Sequence, residues 1–298
     1  FDYWSGRMRL KYGRFMYHFI LSDGQCTMYY GEGGLSAEPV TAGKCNPWAW
    51  CFHYPYTWRH YGADDPPAWA ADAVVYQIFV DRFAKGDEAS DPPGVDPWGT
   101  RPTSRSFSGG DLAGIIDRLD YLAGLGVSCI YLTPIFLAPS NHKYDTTDYY
   151  KLDPNFGDEA IARRLVDESH ARGIRVMLDA VFNHCGFSFG PFQDVVARGA
   201  ESPYYKWFNI HELPVRTNPR PSYETFAMEV PDMPKLRTDR REVRDYLISA
   251  AEYWTRTLDI DGWRLDVADD VDPGLWREFR ARIRAIKPEA LIVGEILH

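Results

Sequence analysis

Apolar residues follow two patterns along the chain, and the two patterns alternate. Continuous apolar runs, typical of strands buried on both faces of a parallel sheet, cover residues 74–80, 127–133, 175–181, 262–266 and 291–295. Between the runs, apolar residues recur at helical spacing, first at Leu112, Ile115, Ile116, Leu119 and Leu122. The same spacing returns at 243–258 and 276–286. Buried strands alternating with amphipathic helices predict βαβ units and a parallel sheet.

The first 65 residues have a pattern typical of antiparallel strands. Apolar side chains alternate with the period of a half-buried strand at Phe15, Tyr17 and Phe19. The dipeptide Asp23-Gly24 separates two β-prone segments and predicts a hairpin, because both residue types tolerate positive φ. A proline-rich stretch at 64–67 predicts the end of this segment.

The distance between the third and fourth apolar runs exceeds what one helix requires. Residues 185–240, rich in proline and aromatic residues, are therefore predicted to form an insertion, and long ordered insertions are usually functional. We expect four segments: an N-terminal β domain at 1–65, strands one to three of the sheet at 66–184, the inserted domain at 185–240, and strands four and five at 241–298.

Composition and charge exclude several classes of protein. The 298 residues are 45% hydrophobic, so there is ample apolar surface to bury and disorder is excluded. No apolar run approaches the roughly 18 residues that a membrane span needs. The net charge of −9 argues against a nucleic-acid partner. Five cysteines without a CxxC pair predict reduced thiols rather than a disulfide framework or a zinc site, and with no signal peptide visible we expect a cytoplasmic protein.

Acidic residues lie where the strands end, and these are the candidates for chemistry. Asp266 and Glu295 close the fourth and fifth runs. In a (β/α)₈ barrel the carboxyl ends of the strands form one face, and catalytic residues come from several of them. Adjacent strands lie about 4.8 Å apart, so two such carboxylates can approach the roughly 5 to 5.5 Å separation of retaining glycosidases. Acids at strand ends also serve simply to hydrate loops, and the pattern alone leaves both interpretations open.

The neighbours of the two acids predict different roles for them. Arg264 shares a strand face with Asp266, and a fixed cation lowers the pKa of a carboxyl, which keeps a nucleophile ionised. Glu295 follows the apolar residues 291–294, so we expect it in the drier surroundings that suit a general acid.

Six segments resemble conserved stretches of the α-amylase family of glycoside hydrolases. Three resemble stretches shared across the family: DAVFNH at 179–184, GWRLD at 262–266 and GEILH at 294–298. Three more resemble the branch of neopullulanases, cyclomaltodextrinases and maltogenic amylases: YQIFVDRF at 76–83, HKYDTTDY at 142–149 and MPKL at 233–236. The resemblance covers nearly the whole chain with the segments in the right order, which is far more specific than any single motif.

The resemblance implies a fold and a set of roles. The fold would be α/β, a partial (β/α)₈ TIM barrel of the first five strands, with an inserted domain after strand 3 and a partial N-terminal β-sandwich domain of the starch-binding type. Asp266 would be the nucleophile that forms a covalent glycosyl intermediate, and Glu295 the acid/base. Sugar-binding residues would be Arg264, His184, His298 and, by stacking on the apolar face of the ring, Tyr144. Without the resemblance, Tyr144 could be a surface aromatic and His184 a histidine satisfied at a strand end.

The resemblance also implies a candidate calcium site near the first βα loop. The matching residues are Asp87, Asp91, Gly109 and Asp111. Relatives carry Asn at two positions that hold Lys85 and Ser90 here, and an ammonium in place of an oxygen ligand is unfavourable for a hard cation. The sequence therefore leaves Ca²⁺ open, and the chemistry itself requires no cofactor.

The expected substrates are α-glucans: cyclodextrins, pullulan and maltooligosaccharides. Relatives usually carry Asn-Glu where this chain has Asp269-Asp270, and Leu297 replaces a common Trp, so the preference for α-1,4 or α-1,6 bonds and the balance of hydrolysis and transfer stay open. Two alternatives are a non-catalytic carbohydrate-binding protein of amylase-like fold and a barrel enzyme of other acid/base chemistry, such as a lyase. Retention of both Asp266 and Glu295 argues against the first, and Tyr144 beside that acid pair argues against the second.

The resemblance covers five of the eight strands of a barrel and leaves the family's third catalytic acid without a counterpart. We therefore expect a fragment of a longer protein, inactive on its own. The N-terminal domain of this branch commonly caps a partner's active site, so we expect a homodimer of the longer protein.

Overall fold

The computed structural model describes residues 15–31, 34–37, 52–54, 66–228 and 230–296. The chain divides into two compact units, with the boundary between Ala68 and Trp69. The predicted end of the N-terminal segment, at residue 65, lies outside the described residues.

Short antiparallel strands form the described part of the N-terminal unit. They are β1 (Phe15–Tyr17), β2 (Phe19–Ser22), β3 (Thr27–Gly31), β4 (Gly34–Ser36) and β5 (Phe52–Tyr54). β1 pairs with β5, and β2, β3 and β4 form a three-stranded meander. The predicted hairpin is confirmed, because β2 and β3 pair on either side of Asp23-Gly24. Gly24 has a φ of 90°, and the Asp23 carboxylate accepts the Cys26 N–H at 2.7 Å, which closes the turn.

The second unit is built on a parallel sheet. Its strands are β6 (Val75–Ile78), β7 (Cys129–Leu132), β8 (Phe136–Leu137), β9 (Asp148–Leu152), β10 (Arg175–Ala180), β11 (Gly262–Leu265) and β12 (Leu291–Gly294). Five of them form one sheet in the order β12-β11-β10-β7-β6, with every pair parallel. Each predicted apolar run contains one of these strands, so the predicted parallel sheet is confirmed. β8 and β9 form a separate antiparallel pair that the apolar pattern did not indicate.

Helices connect the strands of the sheet. They are α1 (Val80–Phe83), α2 (Leu112–Asp117), α3 (Leu119–Gly124), α4 (Glu159–Ala171), α5 (Gly190–Arg198), α6 (Arg241–Leu258) and α7 (Pro273–Ile286). Short 3₁₀ helices cover Ala68–Asp72, Glu88–Ser90, Gly199–Glu201, Tyr205–Trp207, Phe226–Met228 and Ala268–Asp270. One helix was predicted over 112–122, but the structure divides it at Arg118, whose N–H bonds to the Ile115 carbonyl in a 3₁₀ turn.

The core lies between the sheet and its helices. Trp254 of α6, Trp263 of β11 and Phe279 of α7 are among its largest side chains, and all three are fully buried. Trp263 also pairs its one polar group. Its indole N–H donates to Thr255 Oγ1 at 3.1 Å, so the burial leaves no polar group unpaired at this ring.

The region predicted as an insertion contains α5 and short 3₁₀ helices. Isolated antiparallel bridges fold it back on itself, including His184 with Lys235 and Phe208 with Leu236. Its side chains Phe192 and Tyr223 are buried in the same core as the sheet. The region is part of the second compact unit.

Within the described ranges, no helix combines the length and apolar character that crossing a bilayer requires.

Candidate active site

The candidate site lies at the carboxyl ends of β10, β11 and β12. Asp179 lies in β10 and pairs in register with Arg264 of β11. Asp266 follows β11 directly, and Glu295 follows β12. The parallel register therefore brings together side chains that are far apart in the sequence, as expected at the rim of such a sheet.

Arg264 connects the three carboxylates of the site. Its Nη1 lies 2.8 Å from Asp266 Oδ1 and 2.9 Å from Asp179 Oδ2. Its Nη2 lies 2.7 Å from Glu295 Oε2. The two acids proposed from the sequence are thus bound to one guanidinium, whose planar arrangement of donors can serve several carboxylates at once.

Burial decides the protonation of the two inner acids. The pKa of Asp266 is raised to about 7, mainly by desolvation and secondly by the nearby charge of Asp179, although Arg264 acts in the opposite direction. Desolvation likewise raises the pKa of Asp179 to about 6. Arg264 lowers the pKa of Asp266 as expected, but the cost of burying the charge is larger, so the net pKa lies above that of an ordinary Asp.

Glu295 is the more hydrated of the two proposed acids. Its side chain is 36% exposed, against 7% for Asp266, so the expectation that Glu295 occupies the drier surroundings is wrong. Glu295 follows β12, and among the described strands β12 has only β11 beside it. Glu295 Oε2 also accepts the backbone N–H of Val267 at 3.1 Å, which fixes it beside the chain that follows Asp266.

Tyr144 lies in the connection between β8 and β9 and reaches into the site. Its hydroxyl donates to Asp179 Oδ2 at 3.1 Å, and the Arg264 guanidinium carbon lies 5.9 Å from its ring centroid. Tyr131, which was not predicted from the sequence, donates a short hydrogen bond to the same Asp179 oxygen. Tyr131 is the one residue with a polar group near the end of an otherwise apolar strand. A hydroxyl at the carboxyl end of a buried strand could have indicated a residue of the site.

His184 is buried at the base of the insertion. Burial lowers its pKa to about 4, so the imidazole is neutral at neutral pH. Its Nε2 makes no hydrogen bond with any described residue. Its ring packs against Phe226, with centroids 4.7 Å apart, and Phe226 is a second contact that was not predicted from the sequence. His298, the remaining predicted sugar-binding residue, lies outside the described residues.

The predicted calcium ligands are close to one another, but most already have partners. The Asp111 carboxylate caps α2 and accepts the backbone N–H groups of Gly86, Asp87 and Gly114. Asp87 Oδ1 accepts the Ala89 N–H. Among the described residues, no three His, Cys, Asp or Glu side chains converge in a way that could hold a metal ion. As placed, these residues do not fit calcium.

The insertion contacts the loop after β11 through a lysine. Lys235 Nζ lies 3.4 Å from Glu224 Oε1 and 3.4 Å from Asp270 Oδ2. Asp270 is one of the positions at which this chain departs from the family that it resembles, and the contact joins it to the MPKL segment.

The arrangement has the parts that acid/base and nucleophilic chemistry on a sugar requires. A buried carboxylate can attack, a second carboxyl open to water can exchange protons, and a fixed cation holds both. Tyr144 offers an aromatic face, and His184 offers an unpaired ring nitrogen to a hydroxyl group.

Comparison with known proteins finds a matching family and curated relatives. The family described as alpha amylase, catalytic domain, matches residues 77–298. A cyclomaltodextrinase of Thermoanaerobacter pseudethanolicus is 52% identical over 302 aligned residues, which cover 100% of this chain and 51% of that protein. Neopullulanase 2 of Thermoactinomyces vulgaris is 50% identical over 301 residues, covering 100% of this chain and 50% of that protein. This chain thus spans about half the length of the curated relatives that it matches.

A solved structure shares the fold. The ligand-free cyclic alpha-maltosyl-(1→6)-maltose hydrolase of Arthrobacter globiformis superimposes with a TM-score of 0.76 at 44% sequence identity. The match covers 78% of this chain and 53% of that one.

Proposed function

This chain belongs to the α-amylase family, in the branch of the cyclomaltodextrinases and neopullulanases, and from that premise we propose that its protein is a retaining hydrolase of α-glucans. The observation that carries the proposal is the binding of Asp266 and Glu295 to the single guanidinium of Arg264. Retaining glycosidases need two carboxyl groups that flank the cleaved glycosidic bond. The shared contact with Arg264 holds two carboxyl groups close together.

In the proposed mechanism, Asp266 attacks the anomeric carbon. A bond forms between that carbon and a carboxylate oxygen, the bond to the glycosidic oxygen breaks, and Glu295 gives its proton to the leaving oxygen. Glu295 then takes a proton from water, the water oxygen bonds to the anomeric carbon, and Asp266 is released as a carboxylate. The second step restores both residues to their starting states.

The surrounding residues serve the sugar in this proposal. Tyr144 stacks on the ring in the subsite at the cleaved bond, since the C–H face of glucose is apolar. Neutral His184 uses its unpaired Nε2 for a sugar hydroxyl. Arg264 and His298 contact the same sugar. Arg264 also favours the ionised form of Asp266, which burial alone would disfavour.

We propose cyclodextrins, pullulan and maltooligosaccharides as substrates. The names of the relatives support this range: a cyclomaltodextrinase, a neopullulanase, and a hydrolase of a cyclic sugar with α-1,6 linkages. Cleavage of α-1,6 as well as α-1,4 bonds would depend on the loop that contains Asp270. Lys235 of the insertion forms an ion pair with the Asp270 side chain.

The decisive experiment is covalent trapping in the complete gene product with an α-glucosyl fluoride that carries a second fluorine on the sugar ring, which slows hydrolysis of the covalent intermediate. We expect peptide mapping to find the label on Asp266, no label in Asp266→Asn, and loss of maltose release from β-cyclodextrin and pullulan in that variant. A label on another residue would refute the assignment. Binding of β-cyclodextrin without label or product would favour the alternative of a non-catalytic carbohydrate-binding protein.

The remaining proposals concern the whole protein. We propose a homodimer, which sedimentation velocity would test, and a cytoplasmic location without nucleic-acid or membrane partners. The free thiols of Cys26, Cys129 and Cys185 are consistent with a reducing compartment. The antiparallel N-terminal strands are proposed to belong to a β-sandwich, the parallel sheet to a (β/α)₈ barrel, and residues 185–240 to a domain inserted after its third strand.

A further inference from the structure

The first long connection of the parallel sheet, residues 84–111, folds back on itself around two carboxylates. Asp111 draws the beginning of the connection toward α2, because one carboxylate oxygen accepts both the Gly86 and Asp87 N–H groups, at 3.1 and 2.7 Å. The other oxygen accepts the Gly114 N–H at 2.6 Å. Asp111 thus acts as a cap and a backbone clamp, and its hydrogen-bond partners among the described residues are these three backbone N–H groups.

Asp91 is the second carboxylate, and its partner is a side chain. Lys85 Nζ lies 2.5 Å from Asp91 Oδ2, with the two side chains 21% and 17% exposed. Glu88 Oε1 lies 3.9 Å from the same ammonium. The ammonium therefore joins the beginning of the connection to Asp91, which lies six positions further on and is one of the predicted calcium ligands.

The backbone of Gly109 lies next to the Asp91 carboxylate. Its Oδ1 is buried and has no hydrogen-bond partner among the described residues. Gly109, with a φ of 77°, lies so close that a Cβ on it would be 2.5 Å from this oxygen. Asp91 is thus held between the Gly109 backbone on one side and the Lys85 ammonium on the other.

A calcium ion would have to compete with this ammonium. Calcium takes six to eight oxygen ligands at about 2.3–2.6 Å, usually with several carboxylates among them. Here Asp91 is the only predicted carboxylate ligand with a buried oxygen left unpaired among the described residues, and a positive charge already lies on its other oxygen. Like charges at such a distance repel strongly in partly buried surroundings.

We infer that the Lys85 ammonium is the resident cation of this connection, and that it joins Asp91 to the beginning of the loop in place of a divalent metal ion. The connection is then ordered by the chain itself, independently of calcium. The inference concerns this loop alone and does not rest on the proposed hydrolase activity.

Two measurements on the complete gene product test the exclusion of calcium. After removal of metal with EDTA, titration with CaCl₂ up to about 1 mM, the range of weak protein sites, should give no binding heat. The melting temperature should be the same in CaCl₂ and in EDTA. Saturable calcium binding accompanied by a higher melting temperature would overturn the inference.

A pair of variants tests the role of the ammonium itself. Lys85→Met keeps the aliphatic stem and removes the charge, and we expect its melting temperature to fall by at least about 2 °C. The matched control is Lys151→Met, since Lys151 is 69% exposed and lies 3.4 Å from its nearest carboxylate, so its loss should have no measurable effect. Equal melting temperatures for the two variants would show that Lys85 does not hold the connection.

Discussion

A single guanidinium controls the charge of the candidate site. Three carboxylates converge on Arg264, so their negative charges exceed its one positive charge. Two of those carboxylates, Asp179 and Asp266, are buried, and a buried charge that is only partly compensated favours its neutral form. The raised pKa values of both acids express this imbalance, and they make a stability test of the site possible.

Asp266→Asn should stabilise the folded protein, and more so at high pH. The pKa of Asp266 is about 7 in the folded state against 3.8 for the ordinary side chain, so the folded state retains a proton that the unfolded state has already released. Stability therefore falls as pH rises from about 4 to 7, and the neutral amide avoids this loss. Thermal melts should give the variant an advantage that is larger at pH 8 than at pH 5 by on the order of 1–3 kcal/mol.

The control for that experiment is Asp269→Asn. Asp269 is an exposed acid three residues further along the same loop, so its replacement should change stability equally little at both pH values. An advantage of Asp266→Asn that is the same at pH 5 and pH 8 would contradict the burial argument.

Glu295→Gln should discriminate between substrates by their leaving groups. Removing a general acid typically costs 10²- to 10⁴-fold, so we expect kcat/KM on β-cyclodextrin to fall by about that factor. Fluoride leaves without a proton, so kcat/KM on α-maltosyl fluoride should remain near the wild-type value. Glu289→Gln, at an exposed position, is the control. Equal losses on both substrates would refute the role of Glu295 as acid.

The connection between β8 and β9 adds Tyr144 to the residues that the predicted strands bring together. Next to Tyr144, Lys143 is completely buried at a φ of 62°. Lys143 Nζ lies 2.7 Å from Asp153 Oδ2 and donates to the Ala138 carbonyl at 2.9 Å. This pair fixes the ends of the connection to each other, and Tyr144 is held in place as a consequence.

Lys143→Met should destabilise the protein strongly. The change leaves the Asp153 carboxylate buried without its counter-ion, and such changes typically cost about 3–5 kcal/mol. Denaturant unfolding would measure the loss. Arg163→Met provides the comparison, because its ion pair with Asp167 is on the surface and should contribute nothing measurable. A loss no greater than that of the control would contradict a structural role for the buried pair.

The strands of the sheet were predictable because a strand that is buried on both faces has a continuous run of apolar residues. Apolar runs located all five strands, and the Asp23-Gly24 turn located the hairpin. The same reasoning failed where a charged residue is buried. Lysine is rarely buried, so Lys143 gave no signal. The sequence placed the two proposed acids at neighbouring strand ends, but it did not predict which of them is more exposed to water. Exposure depends on which strands lie beside each acid.

The described part of the parallel sheet has two edge strands. Among the described strands, β6 has only β7 as a neighbour and β12 has only β11. Apolar side chains lie at both edges, with Val75 50% and Val293 43% exposed. An edge of this kind presents unpaired backbone groups beside apolar surface, which is a template for pairing with another chain.

The 298-residue chain on its own should therefore self-associate and release no maltose from β-cyclodextrin, whereas the complete gene product should do the reverse. If edge pairing is the cause, Val293→Lys should reduce the association, because a charged residue at an edge opposes strand addition. Sedimentation velocity would compare the chain, this variant and a Lys151→Ala control of unchanged edges. A monodisperse and active chain of 298 residues would mean that the described strands complete the site without further partners, and the edge argument would then be wrong.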